Sequence, residues 1–182
     1  MRELPTLGRA GLLLAVLPAW WTLRVVASSD PWCFMDYANL AFHEAGHIFF
    51  APLGSTMHYL GGTLAQLLVP GGLIAWFLIR EGRPLAASFC CWWLGESLVN
   101  AARYMADARD LSLPLVGGGD HDWNELFYRF GMLTEPAVAR AASLTKGMGI
   151  LLMIAGLAWM LSRGLRARTD QAPLISAARS SP

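Results

Sequence analysis

Hydrophobic and polar positions alternate along this chain in long blocks rather than in short strand-like steps. Residues 10–28 form an apolar run behind a short polar lead that carries Arg2 and Arg9. A second apolar stretch, Tyr37–Leu53, opens behind Asp36, a predicted N-cap, and closes at Pro52–Leu53–Gly54, a stop signal. At about 17 residues it sits at the lower limit for crossing a bilayer. Leu60–Ile79 is a stronger span, opening on Gly61–Gly62 and interrupted by Pro70–Gly71–Gly72. Small residues there predict close packing of another helix. Leu85–Val99 is the next, and its pattern continues as a helix through Asp110. Asn124–Met132 is amphipathic, with Leu126, Phe127 and Phe130 on one side, and residues 147–162 form the last span.

These elements predict an all-α fold. It is a polytopic membrane helix bundle of four to five hydrophobic helices, in which the Tyr37–Leu53 helix is short or only partly spanning. Residues 1–168 read as a single membrane-embedded domain and 169–182 as a polar, disordered tail. Composition strengthens the membrane reading: 55 % of the 182 residues are hydrophobic and only 15 % charged, against about 25 % charged in soluble domains. Eight Trp and eight Phe supply material for interfacial belts. The first run, with Ala27, Ser28 and Ser29 behind it, has the outline of a cleaved signal peptide, but Trp20, Trp21 and Arg24 favour a retained first span. The formal net charge of +1 gives no footing for nucleic acid. Three cysteines, Cys33, Cys90 and Cys91, imply no disulfide framework.

The candidate chemistry lies in the short helix, at His43–Glu44–Ala45–Gly46–His47. Two histidines four apart project from one helix face, so two imidazole nitrogens can share one Zn²⁺, with Glu44 beside them as general base. Leu40, Ala41 and Phe42 precede the motif and Ile48, Phe49 and Phe50 follow it. Ionisable groups in so apolar a helix are costly unless they have a task.

A hydrolytic zinc site has three protein ligands and an open position, so a third must come from elsewhere. Glu96, Asn100, Arg103 or Tyr104, and Asp107 recur at the spacing of one helix face. Asp107, at the far end of that stripe, is the best-placed carboxylate. His121, framed by Asp120 and Asp122, is the alternative, either as a ligand or as a residue that orients one. His58 reads as an interfacial histidine, and Glu96 as a structural acid paired with Arg103. Tyr104 and Asp122 join Glu96 as candidates for positions beside the ligands or the substrate.

With these residues in view, the chain resembles the site-2 protease family of intramembrane zinc metallopeptidases. The likeness rests on the His43–His47 motif in an apolar helix, on Gly61–Gly62 in the following segment, and on Asn100 and Asp107 seven residues apart. It implies that His43, His47 and Asp107 bind zinc, that Glu44 activates water, and that Asn100 helps hold the substrate or the site. The chain departs from the family where Arg103 stands in place of proline and where Ala108 and Arg109 follow Asp107 in place of glycine. It also resembles a group of small bacterial membrane proteins that share this motif, Tyr104–Arg109 and a Gly-Gly…His-Asp-Trp element ending at Trp123.

The expected function is a membrane-embedded zinc hydrolase, a metallopeptidase acting on a membrane-associated protein, with the lipid bilayer as its setting and the bacterial inner membrane as its place. Two other readings use the same metal: hydrolysis of a lipid-linked amide or ester, and a non-catalytic metal brace between helices.

Overall fold

The computed structural model describes residues 7–28, 32–116 and 119–179, with side chains described between 12 and 165. The described residues form helices and no strands: α1 (Leu7–Ala27), α2 (Met35–Phe50), α3 (Ser55–Ile79), α4 (Pro84–Ala106), α5 (Asp122–Arg129) and α6 (Glu135–Arg179). Two of them are long and apolar enough to cross a membrane by length and composition, Ser55–Ile79 and Glu135–Leu165 within α6. Leu12–Ala27 is a shorter apolar helix.

The sequence pattern places most of these elements and misplaces several ends. Helix α2 has 16 residues, about 24 Å of rise, so it falls short of the roughly 30 Å hydrocarbon thickness. Its N-cap is Phe34, not Asp36. Asp36 stands in the first turn and reaches back to accept the Cys33 N–H, while its other oxygen accepts from Asn100. A 3₁₀ turn, Ala51–Leu53, ends α2, and Gly54 at φ 102° turns the chain directly into α3. Only glycine adopts that φ without strain. Helix α3 therefore starts earlier than the hydropathy pattern implies, at Ser55, and His58 lies in its first turn. Pro70 is buried inside α3, which runs on through it.

Helix α4 does not continue through Asp110. It ends at Ala106, with Asp107 as its C-cap. The cause is local: the Asp107 carboxylate accepts the Ser112 and Leu113 N–H groups. Its carbonyl accepts from Asp110 and Leu111, holding Leu111 at φ 50°. These bonds fold the chain into a tight turn where the sequence pattern extends a helix. Helix α6 reaches Arg179, across most of the stretch expected to be a disordered tail. Ala172, Ala177 and Ala178 favour helix there. Residues 180–182, and the Gly117–Gly118 part of the glycine run, lie outside the described residues, as do residues 1–6.

One core joins α1, α2, α4 and α6, built on Val25, Met35, Trp92, Trp93, Val99 and Met153. The Trp92 indole donates to the Thr22 hydroxyl at 3.0 Å, tying α4 to α1. Gly95 and Gly149 let α4 and α6 approach backbone to backbone, since a Cβ on Gly95 would stand 2.5 Å from the Met153 nitrogen. A second cluster, with Met105, Phe127 and Val138, seats α5 between the end of α4 and the start of α6. The outer faces stay apolar: Leu13, Leu17 and Leu23 on α1, Ile79 on α3 and Leu151 on α6 are all exposed. Cys33, Cys90 and Cys91 are free thiols.

Candidate metal centre

Helices α2 and α3 form a close pair because glycine faces glycine where they cross. A Cβ on Gly46 would overlap the Gly61 carbonyl, and one on Gly62 would stand 2.6 Å from His43 Nε2. The Gly61–Gly62 pair is thus helix packing, with a direct consequence for the site: the His43 imidazole occupies the space a side chain at residue 62 would take.

From this position α3 fixes both motif histidines. Gln66 is buried, and its amide nitrogen donates to the Ser97 carbonyl at 3.1 Å. Its Oε1 is thereby turned to His43 Nδ1, 3.2 Å away, which donates to it. His47 Nδ1 donates to the His58 carbonyl at 2.8 Å, and His58 Nδ1 donates back to the His47 carbonyl at 3.1 Å. With both Nδ1 positions protonated, the two Nε2 atoms carry the lone pairs. They converge on one carboxylate oxygen, Asp122 Oδ2, at 2.8 Å from His43 and 3.3 Å from His47.

Three acceptor atoms facing one point require a positive charge among them, either a proton or a metal ion. The ligand atoms of His43, His47 and Asp122 all lie within 4.8 Å of one another, and the three could hold a metal ion. Two imidazole nitrogens and a carboxylate oxygen, each imidazole anchored through its other nitrogen, fit a divalent transition metal of the zinc kind. Burial pushes the Asp122 carboxyl up, but where a proton fills the point between them, sharing it with His43 and His47 outweighs burial and holds the group below the usual carboxylate range.

Asp122 was expected beside the ligands, and the third ligand was expected to be Asp107 or His121. The structure arranges the three differently. Because α4 stops at Ala106, Asp107 leaves the polar stripe and spends both oxygens on the 111–113 turn. His121 is the N-cap of α5: its Nδ1 accepts the Asn124 N–H at 3.2 Å. That bond leaves the proton on Nε2, which lies 3.4 Å from Asp107 Oδ2 but out of line for a hydrogen bond, so it is a buried donor without a hydrogen-bond partner among the described residues. His121 and Asp107 lie side by side, each held by its own backbone bonds. The His121 cap seats the start of α5, so that Asp122, its first residue, enters the histidine pair.

Burial holds the His121 imidazole below its usual pKa despite the carboxylates of Asp107 and Asp122 nearby. At Asp107 burial raises the pKa, and the bonds from Ser112 and Leu113, with His121 beside them, lower it further than burial raises it. Other bonds complete the seat of α5. The Asp122 N–H donates to the Tyr104 hydroxyl at 3.2 Å, the Asn124 amide to the Ala108 carbonyl at 2.7 Å, and the Trp123 indole to Thr63 at 3.2 Å. The Tyr104 ring lies 4.1 Å from that of His121.

Glu96 and Asn100 of the stripe face α2. Asn39 donates to Glu96 at 2.8 Å while accepting from Trp93 and Ser97, and Asn100 donates to Asp36. Glu96, Asp36 and Cys33 form a second buried group whose ligand atoms stand within 4.8 Å of one another. Both Asp36 oxygens and Glu96 Oε2 are already engaged by these hydrogen bonds, so this group serves the α2–α4 contact. His58 is a partner of His47 rather than an interfacial residue alone. Glu44 stands half-buried on the rim of the metal-ligand group, lining two cavities of about 430 Å³ and 370 Å³.

Compared with protein-family models, curated proteins and solved structures, the chain matches none, so the reading of the site rests on its geometry.

Proposed function

We propose that the chain is a membrane-embedded, zinc-dependent metallopeptidase that cleaves a membrane-associated protein, with chemistry of the site-2 protease kind. The observation that carries this reading is the convergence of His43 Nε2, His47 Nε2 and Asp122 Oδ2 beside the Glu44 carboxylate, at the meeting of two cavities. Zinc held by these three residues supplies Lewis acidity, acidifying water to near neutrality and polarising a carbonyl.

The residues of the chain do the rest. Glu44 takes the proton of the attacking water and passes it to the leaving nitrogen. The Tyr104 hydroxyl accepts from the Asp122 N–H and lines both cavities, so its own proton is placed to donate to the carbonyl oxygen as negative charge develops. Gln66 and the His58 carbonyl keep the two imidazoles in the Nδ1–H tautomer throughout.

In the bilayer, α1, α3, α4 and α6 span and α2 enters without crossing. The short length of α2 and the apolar outer faces of α1, α3 and α6 support this arrangement. It places the basic segments Arg2–Arg9, Arg80–Arg83 and Arg163–Arg168 on one side, the cytoplasmic one, and the metal centre toward the other. The inner membrane of a bacterium suits such a chain.

The test is metal analysis combined with Glu44→Gln. Purified chain should hold about one zinc, and the variant should keep it while losing cleavage of membrane-protein substrates about 10²-fold or more. Full cleavage by a zinc-loaded variant would refute the hydrolase reading, and a wild type that binds no zinc would refute the metal reading.

A further inference from the structure

We propose that the site takes an extended polypeptide with a bulky apolar side chain on one side of the scissile bond and a polar or basic stretch on the other; this rests on the metallopeptidase reading. The two cavities differ in chemistry and share one wall. The larger, about 430 Å³, is walled by Trp32, Leu40, Leu113 and Leu115. The smaller, about 370 Å³, is walled by His58, Tyr59, Asp120 and Asp122, and among the described residues no Lys or Arg lines it. Common to both are His43, Glu44, Tyr104, Leu115 and Val116. A chain passing from one cavity to the other therefore brings one backbone unit past Glu44 and the His43 edge of the ligand group.

The change of polarity across that line selects the substrate. An apolar side chain gains by leaving water for the larger cavity, whereas a charged one loses its hydration there. In the smaller cavity Asp120 and Glu44 favour basic and polar groups over acidic ones. The larger cavity also carries Asn100 and Arg103 between its apolar walls. Such groups can meet the N–H and C=O of a peptide, whereas a hydrocarbon chain offers them nothing. That favours a peptide over a lipid acyl chain.

The test uses the full chain in detergent with Co²⁺ in place of zinc, so that the visible spectrum reports ligand binding without any turnover. Three probes are titrated: acetohydroxamate, 3-phenylpropanohydroxamate and octanohydroxamate. The phenylpropano probe should bind about 100-fold tighter than acetohydroxamate, as expected for burying one aromatic side chain. Trp32→Ala and Leu113→Asn should each cut that preference to below about 10-fold and leave acetohydroxamate affinity unchanged.

Equal affinity for the two short probes, or an undiminished preference in both variants, would overturn the proposal while leaving the metal site standing. Octanohydroxamate binding tenfold tighter than the aromatic probe would overturn it in favour of an acyl occupant. A chain that gives no Co²⁺ spectrum would overturn the metallopeptidase reading, and this proposal with it.

Discussion

His47 and His58 exchange hydrogen bonds across the joint between α2 and α3, each ring donating its Nδ1 proton to the other's backbone carbonyl, at 2.8 and 3.1 Å. The two bonds differ in consequence. The acceptor for His47 is backbone and survives any change of side chain at residue 58. His43 depends instead on a side chain, Gln66 Oε1. His58→Ala should therefore weaken zinc binding less than tenfold, and Gln66→Ala should weaken it about 10–100-fold. Competition with a calibrated chelator distinguishes the two, and the reverse order would contradict the assignment of tautomers.

Gly62→Ala should displace the His43 ring, because a Cβ there stands 2.6 Å from its Nε2. The expected result is loss of stoichiometric zinc and a stability cost of about 1–3 kcal/mol from overpacking. Gly72→Ala is the control, since a Cβ at residue 72 meets nothing within 4 Å. It should bind zinc as the wild type does. Metal content and thermal melting of the two variants, measured side by side, check the contrast.

The stability of the metal-free chain should carry a pH signature from His121. Burial lowers its folded-state pKa below the ordinary 6.5, so as pH falls the unfolded chain takes up this proton first. The stabilisation associated with neutral His121 is full above about pH 6.5 and is lost as pH drops toward the folded value. His121→Asn keeps an N-cap acceptor for α5 and removes the titration. In the presence of a chelator the melting temperature of the wild type should fall more steeply between pH 7 and 5 than that of the variant. Equal slopes would refute this role.

Sequence patterning exposed the helices and the first half of the site, because both are local. His43, Glu44 and His47 share one helix, and their spacing states their geometry directly. The third candidate ligand was hidden by the end of a helix. Projecting Asp107 onto the stripe of Glu96 and Asn100 assumes that α4 continues, and the Asp107 carboxylate is itself what ends it, by capping the 111–113 turn. A side chain with a capping role cannot be recognised from periodicity.

His121 and Asp122 are adjacent in sequence and differ in function for a similar reason. The first spends Nδ1 on the start of α5, which leaves the second at N1 facing the histidines. An Asp-His-Asp-Trp run that opens a short helix carried a signal for both roles, an N-cap and an acid in the first turn. Nothing local said which of its residues would reach α2. The glycines were legible as packing positions, but not that Gly62 makes room for the His43 ring.

The most direct test of the metal centre is the zinc content of Asp122→Asn compared with Asp107→Asn, both purified as full chains under identical conditions. Asp122→Asn should lose most of its zinc, because a neutral amide replaces the carboxylate that meets both Nε2 atoms. Asp107→Asn should keep about one zinc per chain and lose only stability. Zinc retained in Asp122→Asn and lost from Asp107→Asn would contradict a centre built on His43, His47 and Asp122.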